Sequence, residues 1–128
     1  MESLTTDGVE VTVVNHFEDE LSKPSKSEFI FSYRITITND NDFSVKLLSR
    51  KWFVFDSKGD HYEVEGNGVV GEQPTLTYQS SHTYESGTSL NSPIGRMRGY
   101  YIMENVITKE IFKVYIPEFD LIAPFVLN

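Results

Sequence analysis

The sequence predicts an all-β fold, a sandwich of about seven short antiparallel strands, with a barrel as the alternative. Three observations carry this. Residues Glu28 to Thr38 alternate strictly: Phe29, Phe31, Tyr33, Ile35 and Ile37 fall on one face, and Ser32, Arg34, Thr36 and Thr38 on the other. Period two over that length means one buried and one wet face. Aromatics make up 13% of the chain, with nine Phe and seven Tyr, which suits a pleated surface. Nowhere do ten residues show the i, i+3, i+4, i+7 apolar spacing of a helix.

The elements follow in order. Residues 1–8 are polar and end in the turn signal Asp7-Gly8. Val9, Val11 and Val13 alternate with Glu10 and Thr12 as a half-buried strand. Asn15 to Lys26 carries Glu18, Asp19, Glu20 and Pro24 and reads as an exposed loop. After the Glu28–Thr38 strand, residues 39–42 (NDND) turn the chain. Val45 to Asp56 is apolar on both faces, hence a central strand with a bulge or bend near Ser49, and Trp52 is the expected core anchor. Residues 57–60 form a tight turn, and His61 to Glu65 returns as the second arm of a hairpin. Thr75 to Tyr84 is β-rich, and Ser86-Gly87 is expected to turn. Ser89 to Gly99, with Pro93 and Gly95, reads as an irregular crossing. Tyr100–Glu104 and Glu110–Ile116 make a last hairpin ended by Pro117, and the apolar tail (Phe119, Leu121, Ile122, Phe125) packs on the body. Residues 1–128 read as a single domain, with no internal repeat.

Composition excludes several functions. Nineteen acidic against 11 basic residues give a net charge of −8, unsuited to general binding of nucleic acid or anionic membrane. Cysteine is absent, which excludes disulfides, thiolate catalysis and zinc-thiolate sites and fits a reducing compartment. The N-terminus has no basic region and no apolar run, so no signal peptide is expected; no stretch reaches the ~20 apolar residues of a spanning helix. A cytoplasmic protein without membrane insertion is the expectation.

The most suggestive stretch is EGNGVVGEQP, Glu65 to Pro74, in which Gly66, Gly68 and Gly71 fall in a G-x-G-x-x-G pattern. That pattern marks a dinucleotide site only between a strand and a helix whose N-terminus faces the pyrophosphate. Here Glu72, Gln73 and Pro74 lead into the β-formers Thr75, Leu76 and Thr77, so no helix follows. What survives is a concavity of backbone amides for an anion. Glu65 and Glu72 oppose one, and Arg50, Arg96 and Arg98 offset them only if folded nearby. The competing reading is a structural turn or a partner-facing loop. Val69-Val70 within it either tuck into the sandwich or present an apolar patch.

Two other constellations carry less. His61, Glu63 and Glu65 share one face of a strand and have ligand chemistry for a divalent cation, but a flat face converges poorly and a fourth ligand is lacking; a solvated polar face is the plainer reading. His82 has hydroxyl neighbours Ser80, Ser81 and Thr83, but catalytic triads assemble from distant positions, so no nucleophile with a base is in view and no enzyme is expected.

Four stretches together resemble one family. They are LLSRKWFVFDSKGD (47–60), VEGNGVVGEQPTL (64–76), YESGTSLNSPIGRMRGYYIM (84–103) and FKVYIPEFDL (112–121), and they resemble the ApaG domain in order and spacing from about Val9 onward. Where the family commonly has Pro-Gly, this chain has Tyr78-Gln79, which leaves a local turn open. The resemblance implies a fibronectin type III-like, immunoglobulin-like sandwich. It implies a small bacterial protein linked to cobalt resistance and magnesium efflux, related to domains that look like interaction modules, with a glycine motif likened to a pyrophosphate-binding loop. It brings no catalytic residue and no cofactor.

The expected function is therefore a non-enzymatic binding module. Its surface would centre on Gly66, Gly68, Gly71, Arg50 and Arg96, its partner would be a protein, and any cation phenotype would be indirect. A pyrophosphate or other small-ligand binder using the glycine loop is the alternative, and a direct Co²⁺ or Mg²⁺ binder through His61, Glu63 and Glu65 the third reading.

Overall fold

A computed structural model of the protein describes residues 1–127; Asn128, the last residue of the expected tail and domain, lies outside them. Nine strands form two antiparallel sheets packed face to face. The strands are β1 (Glu2–Thr6), β2 (Val9–Phe17), β3 (Phe29–Asn39), β4 (Val45–Asp56), β5 (His61–Asn67), β6 (Thr75–Leu76), β7 (Ser81–Leu90), β8 (Ile94–Asn105) and β9 (Ile111–Ile122). One sheet runs β1-β2-β3-β7 and the other β5-β4-β8-β9, with β6 extending the β5 edge of β4. The sandwich is as expected, but it has nine strands rather than about seven. Among the described residues no helix is long and apolar enough to cross a membrane.

The extra strands have physical reasons. β1 is almost wholly exposed, so its sequence ESLTT carries no apolar face. It exists because Asp7 and Gly8, at φ 47° and 78°, form the two-residue turn whose twist suits a hairpin. Ser86-Gly87 does not turn; both lie inside β7, paired with Tyr33 and Ser32. β8 begins at Ile94, so only Asn91 to Pro93 cross between the sheets. Pro117 does not end β9. It sits at an irregularity between the Met97–Phe119 and Gly99–Ile116 pairs, where a missing N–H is tolerated.

Two such irregularities decide which residues reach the core. An extra residue in a strand reverses the inward and outward positions beyond it. In β4 the shift falls between Leu47 and Ser49. Val45 and Leu47 are buried before it, and Trp52 and Val54 after it. This is why β4 reads as apolar on both faces. In β9, Val114 and Ile116 are buried before the Pro117 irregularity, and Phe119 and Leu121 after it. The core is aromatic: Trp52, 2% exposed, lies 5.3 Å from the Tyr33 ring and 6.0 Å from that of Phe119. In the tail, Phe125 stays half exposed while its ring lies 5.9 Å from that of Phe17. The Tyr84 and Tyr101 hydroxyls meet at 2.5 Å inside the sandwich, and burial pushes both phenols above their usual range.

Polar groups hold the ends. Asn39 is buried and donates to the carbonyls of Phe43 and Leu76, each at 2.9 Å, while accepting from the Asn41 N–H. It also accepts, through its backbone carbonyl, the Gln79 N–H at 2.6 Å. The turn left open at Tyr78-Gln79 does form, with Gln79 at φ 59° in glycine's place. At the opposite end Asp56 closes β4. Its carboxylate accepts from the Asn91 N–H at 2.6 Å, the Lys58 N–H at 3.1 Å and the Ser92 hydroxyl.

Burial alone would raise the Asp56 pKa; the hydrogen bonds from Ser92, Asn91 and Lys58 outweigh it and leave it below 3.8. A depressed carboxylate stabilises the fold above its unfolded pKa, and the contribution is lost as pH falls through the folded value. Asp56→Ala should therefore lower unfolding free energy by about 3 kcal/mol at neutral pH, because it orphans buried donors. Urea titrations should show that difference shrinking below about pH 4.

Candidate binding site

The glycine stretch folds as the end of β5 followed by a tight turn. Val69 and Glu72 bond each other reciprocally, the Val69 N–H to the Glu72 carbonyl at 2.7 Å and the Glu72 N–H to the Val69 carbonyl at 3.0 Å. Val70 and Gly71 occupy the corner at φ 47° and 78°. The two valines divide the alternatives: Val69 is fully buried, while Val70 is 63% exposed. A β-branched residue at positive φ is strained.

Each glycine answers a different demand. Gly68 has φ 61°, and a Cβ there would strike the Glu72 carbonyl. Gly71 needs only its φ, since open space surrounds the position. Gly66 gives room to Arg50, whose Nη1 would lie 2.7 Å from a Cβ. Arg50 donates through Nη1 to the carbonyls of Asn67 at 3.1 Å and Gly68 at 2.9 Å. The loop thus turns carbonyls toward the arginine. Its amides are largely engaged as well: the Gly68 N–H bonds the Leu48 carbonyl at 2.8 Å, and those of Val69 and Glu72 close the turn.

The expected residues therefore separate. Gly66, Gly68 and Arg50 come together, with Gly71 at the tip of the same turn. Arg96 lies elsewhere. It pairs with Phe55 across β4, whereas Arg50 pairs with Tyr101, and the two side chains leave opposite faces of the sheet. Arg50 shares the inward parity of Trp52 and Val54; Arg96 points outward, 3.1 Å from both Glu118 and Asp120. His61, Glu63 and Glu65 do share the outer face, beside Phe55, Phe53 and Lys51. Glu65 and Glu63 lie 2.7 and 3.2 Å from Lys51 Nζ, and together they hold that ammonium above its ordinary pKa. Among the described residues no three His, Asp or Glu side chains are grouped to hold a metal.

The outer face of β5-β4-β8-β9 is a feature that sequence reasoning missed. Across one rung stand His61, Phe55, Arg96 and Asp120; across another, Glu65, Lys51, Tyr100 and Tyr115. Phe55 is 49% exposed and Tyr115 48%. Phe53 lies between two cations, Arg98 at 5.0 Å and Lys51 at 5.3 Å from its ring centre, and Lys113 stands 4.5 Å over Tyr100. Arg98 and Lys113 have no carboxylate within ion-pair distance among the described residues. A concavity of roughly 720 Å³ opens between Phe53, Phe55, His61, Arg96 and Arg98. The signal was present in the outward parity of Lys51, Phe53 and Phe55, but only after the shift near Ser49 is placed.

The profile of the ApaG domain (DUF525) matches residues 19–105. A Vibrio vulnificus protein called ApaG is 43% identical over 120 residues, covering 94% of each chain. An Agrobacterium fabrum protein of the same name is 43% identical over 122 residues, covering 95% of this chain and 92% of that one. A crystal structure from Bordetella pertussis, described as an ApaA protein, superimposes with a TM-score of 0.87 at 37% identity, covering 91% of this chain and 94% of that one.

The glycine geometry sorts three substitutions. Gly68→Ala should destabilise the protein by more than about 2 kcal/mol, from backbone strain plus the collision with Glu72. Gly71→Ala should cost about 1 kcal/mol, from φ alone. Val70→Asn should stabilise by about 1 kcal/mol, since Asn tolerates the left-handed region. Urea unfolding of the three variants checks the order.

Proposed function

The chain belongs to the ApaG family, and from that premise we propose that it is a non-enzymatic protein-binding module acting through the outer face of the β5-β4-β8-β9 sheet. One observation carries the reading: an aromatic face studded with arginine and lysine that the sandwich itself leaves uncovered. Tyr, Phe and Arg are the residues enriched where proteins meet, because they combine large contact area with directed polar groups. Phe53, held between Arg98 and Lys51, is the anchor; Phe55 and Tyr115 extend the patch. Arg98 and Lys113, without carboxylate partners among the described residues, favour a partner surface with acidic groups among its apolar ones. The tie to cobalt resistance and magnesium efflux that the family resemblance suggests then passes through that partner, not through a metal held by this chain.

The pyrophosphate reading of Gly66, Gly68 and Gly71 draws less support. Three of the loop's amides are already bonded, and its Arg50 faces carbonyls. Direct cation binding by His61, Glu63 and Glu65 competes with Lys51, which occupies both carboxylates.

Amide NMR and affinity capture test these readings together. Phe55→Glu and Arg98→Glu should leave the melting temperature within a few degrees, as surface changes do. Both should remove the same captured partner, identified by mass spectrometry against the wild-type chain. Pyrophosphate and Co²⁺ should leave the resonances of residues 61–74 unshifted and unbroadened. Capture that survives both substitutions, or saturable pyrophosphate shifts in the loop, would overturn the proposal.

A further inference from the structure

The two edges of the sandwich differ. On one side β1 and β2 close onto β9: the Tyr115 N–H donates to the Thr6 hydroxyl of β1 at 3.3 Å, and the Asn15 side-chain amide of β2 to the Asp120 carbonyl at 3.3 Å. On the other side β5 and β7 stand apart. Tyr62 spans them at one end, its hydroxyl 2.9 Å from that of Thr88. Beside it runs a groove of roughly 280 Å³. Its floor is formed by three residues of the buried core, Tyr33, Trp52 and Met97, and Val64 overhangs it from β5. Arg50 is the one ionised side chain lining it.

β7 is an edge strand ten residues long, without proline or lysine to blunt it. The Asn39 N–H bonds the Ser80 carbonyl and sets the alternation of the β3–β7 ladder. From that alternation, Thr83, Glu85, Gly87 and Ser89 direct their backbone N–H and C=O groups away from β3. Of these groups only the Ser89 carbonyl has a partner among the described residues, the Tyr62 hydroxyl at 3.4 Å. A row of backbone groups without partners among the described residues therefore runs beside a groove of mixed polar and apolar lining that holds one cation, Arg50.

We propose that this edge binds an extended peptide segment of a partner, added as a fifth strand beside β7, with a carboxylate side chain seated at Arg50. The spacing follows from the register. Ser86 lies opposite Tyr33 at the Arg50 end of the groove, and Thr88 lies opposite Phe31 near Tyr62. In an added strand, side chains two apart enter the same face. An acidic residue beside Ser86 meets Arg50, and an apolar residue beside Thr88 meets Tyr62 and Val64. Arg50 is held in place from one side only, through Nη1. Its Nη2 and Nε carry no hydrogen bond among the described residues and are not buried. This site is separate from the outer face, so either can fail without the other.

The probe is the peptide acetyl-Lys-Thr-Val-Thr-Glu-Thr-Val-Thr-Lys-amide, whose symmetric pattern fits either strand direction. Added to the ¹⁵N-labelled chain, it should give saturable shifts at the amides of Thr83, Glu85, Gly87 and Ser89 and at the Trp52 indole. Replacing the probe's Glu by Gln should weaken binding about tenfold, the scale of a charge-assisted hydrogen bond. Arg50→Gln should do the same, and the two changes together should cost no more than either alone. Methylating the probe's backbone nitrogens should abolish binding at alternate residues and spare those between, a readout that leaves the protein untouched. Glu85→Pro should block the edge while the fold survives, since that N–H points outward. Four outcomes overturn the proposal: no saturable shift at millimolar probe, shifts confined to the outer face, a methylation profile without alternation, or a concentration-dependent dimer that pairs β7 with β7.

Discussion

The arrangement depends on one carboxylate. Asp56 ends β4, and within a few residues it fixes three things: the turn into β5 through Lys58, the exit of β7 through Asn91, and the entry to β8 through Ser92. The chain passes from one sheet to the other at Asn91 to Pro93, one of its three crossings, so Asp56 ties the two sheets together there. A buried charge is tolerable only when its lone pairs are filled. Here the donors are mainly backbone N–H groups and a hydroxyl, and the Ser92 hydroxyl also bonds that of Ser57 at 2.7 Å. Asn39 does comparable work at the opposite end without charge. With both ends secured, the faces and edges between them are free to serve recognition.

Those faces follow from two irregularities. The shift near Ser49 turns Trp52 and Val54 inward and leaves Lys51, Phe53 and Phe55 outside. The one at Pro117 brings Phe119 and Leu121 into the core and puts Glu118 and Asp120 beside Arg96. Core and surface are therefore set by the same two residues of slack. Lengthening or shortening either strand by one residue would exchange an apolar interior for a charged one.

Much of the fold was legible in the residues. The alternation of β3 and the Asp7-Gly8 turn needed no tertiary information, and the irregularity near Ser49 showed itself as apolar residues on both faces. β1 was not legible, because an exposed edge strand has no apolar period to display. β7 was misread at Ser86-Gly87 because small polar residues signal a turn locally, whereas here pairing with β3 overrides that preference. The site was legible only in part. Gly66, Gly68 and Arg50 do meet, but the glycines serve sterics and an arginine contact more than amide exposure. Arg96 parted from them because its strand parity, invisible without the β4–β8 register, sends it to the other side of the sheet.

The open β7 edge carries a hazard of its own. A strand that accepts a foreign peptide can accept its own copy, and edges without lysine, proline or cover invite growth into stacked assemblies. Nothing on β7 itself forbids this, so the protection is global: a net charge of −8 keeps like molecules apart at neutral pH. That defence is colloidal and not structural, and it vanishes near the isoelectric point of about 4.8. Acidity that leaves Asp56 ionised and the sandwich intact is thus enough to remove the repulsion, so precipitation of the native protein would precede its unfolding.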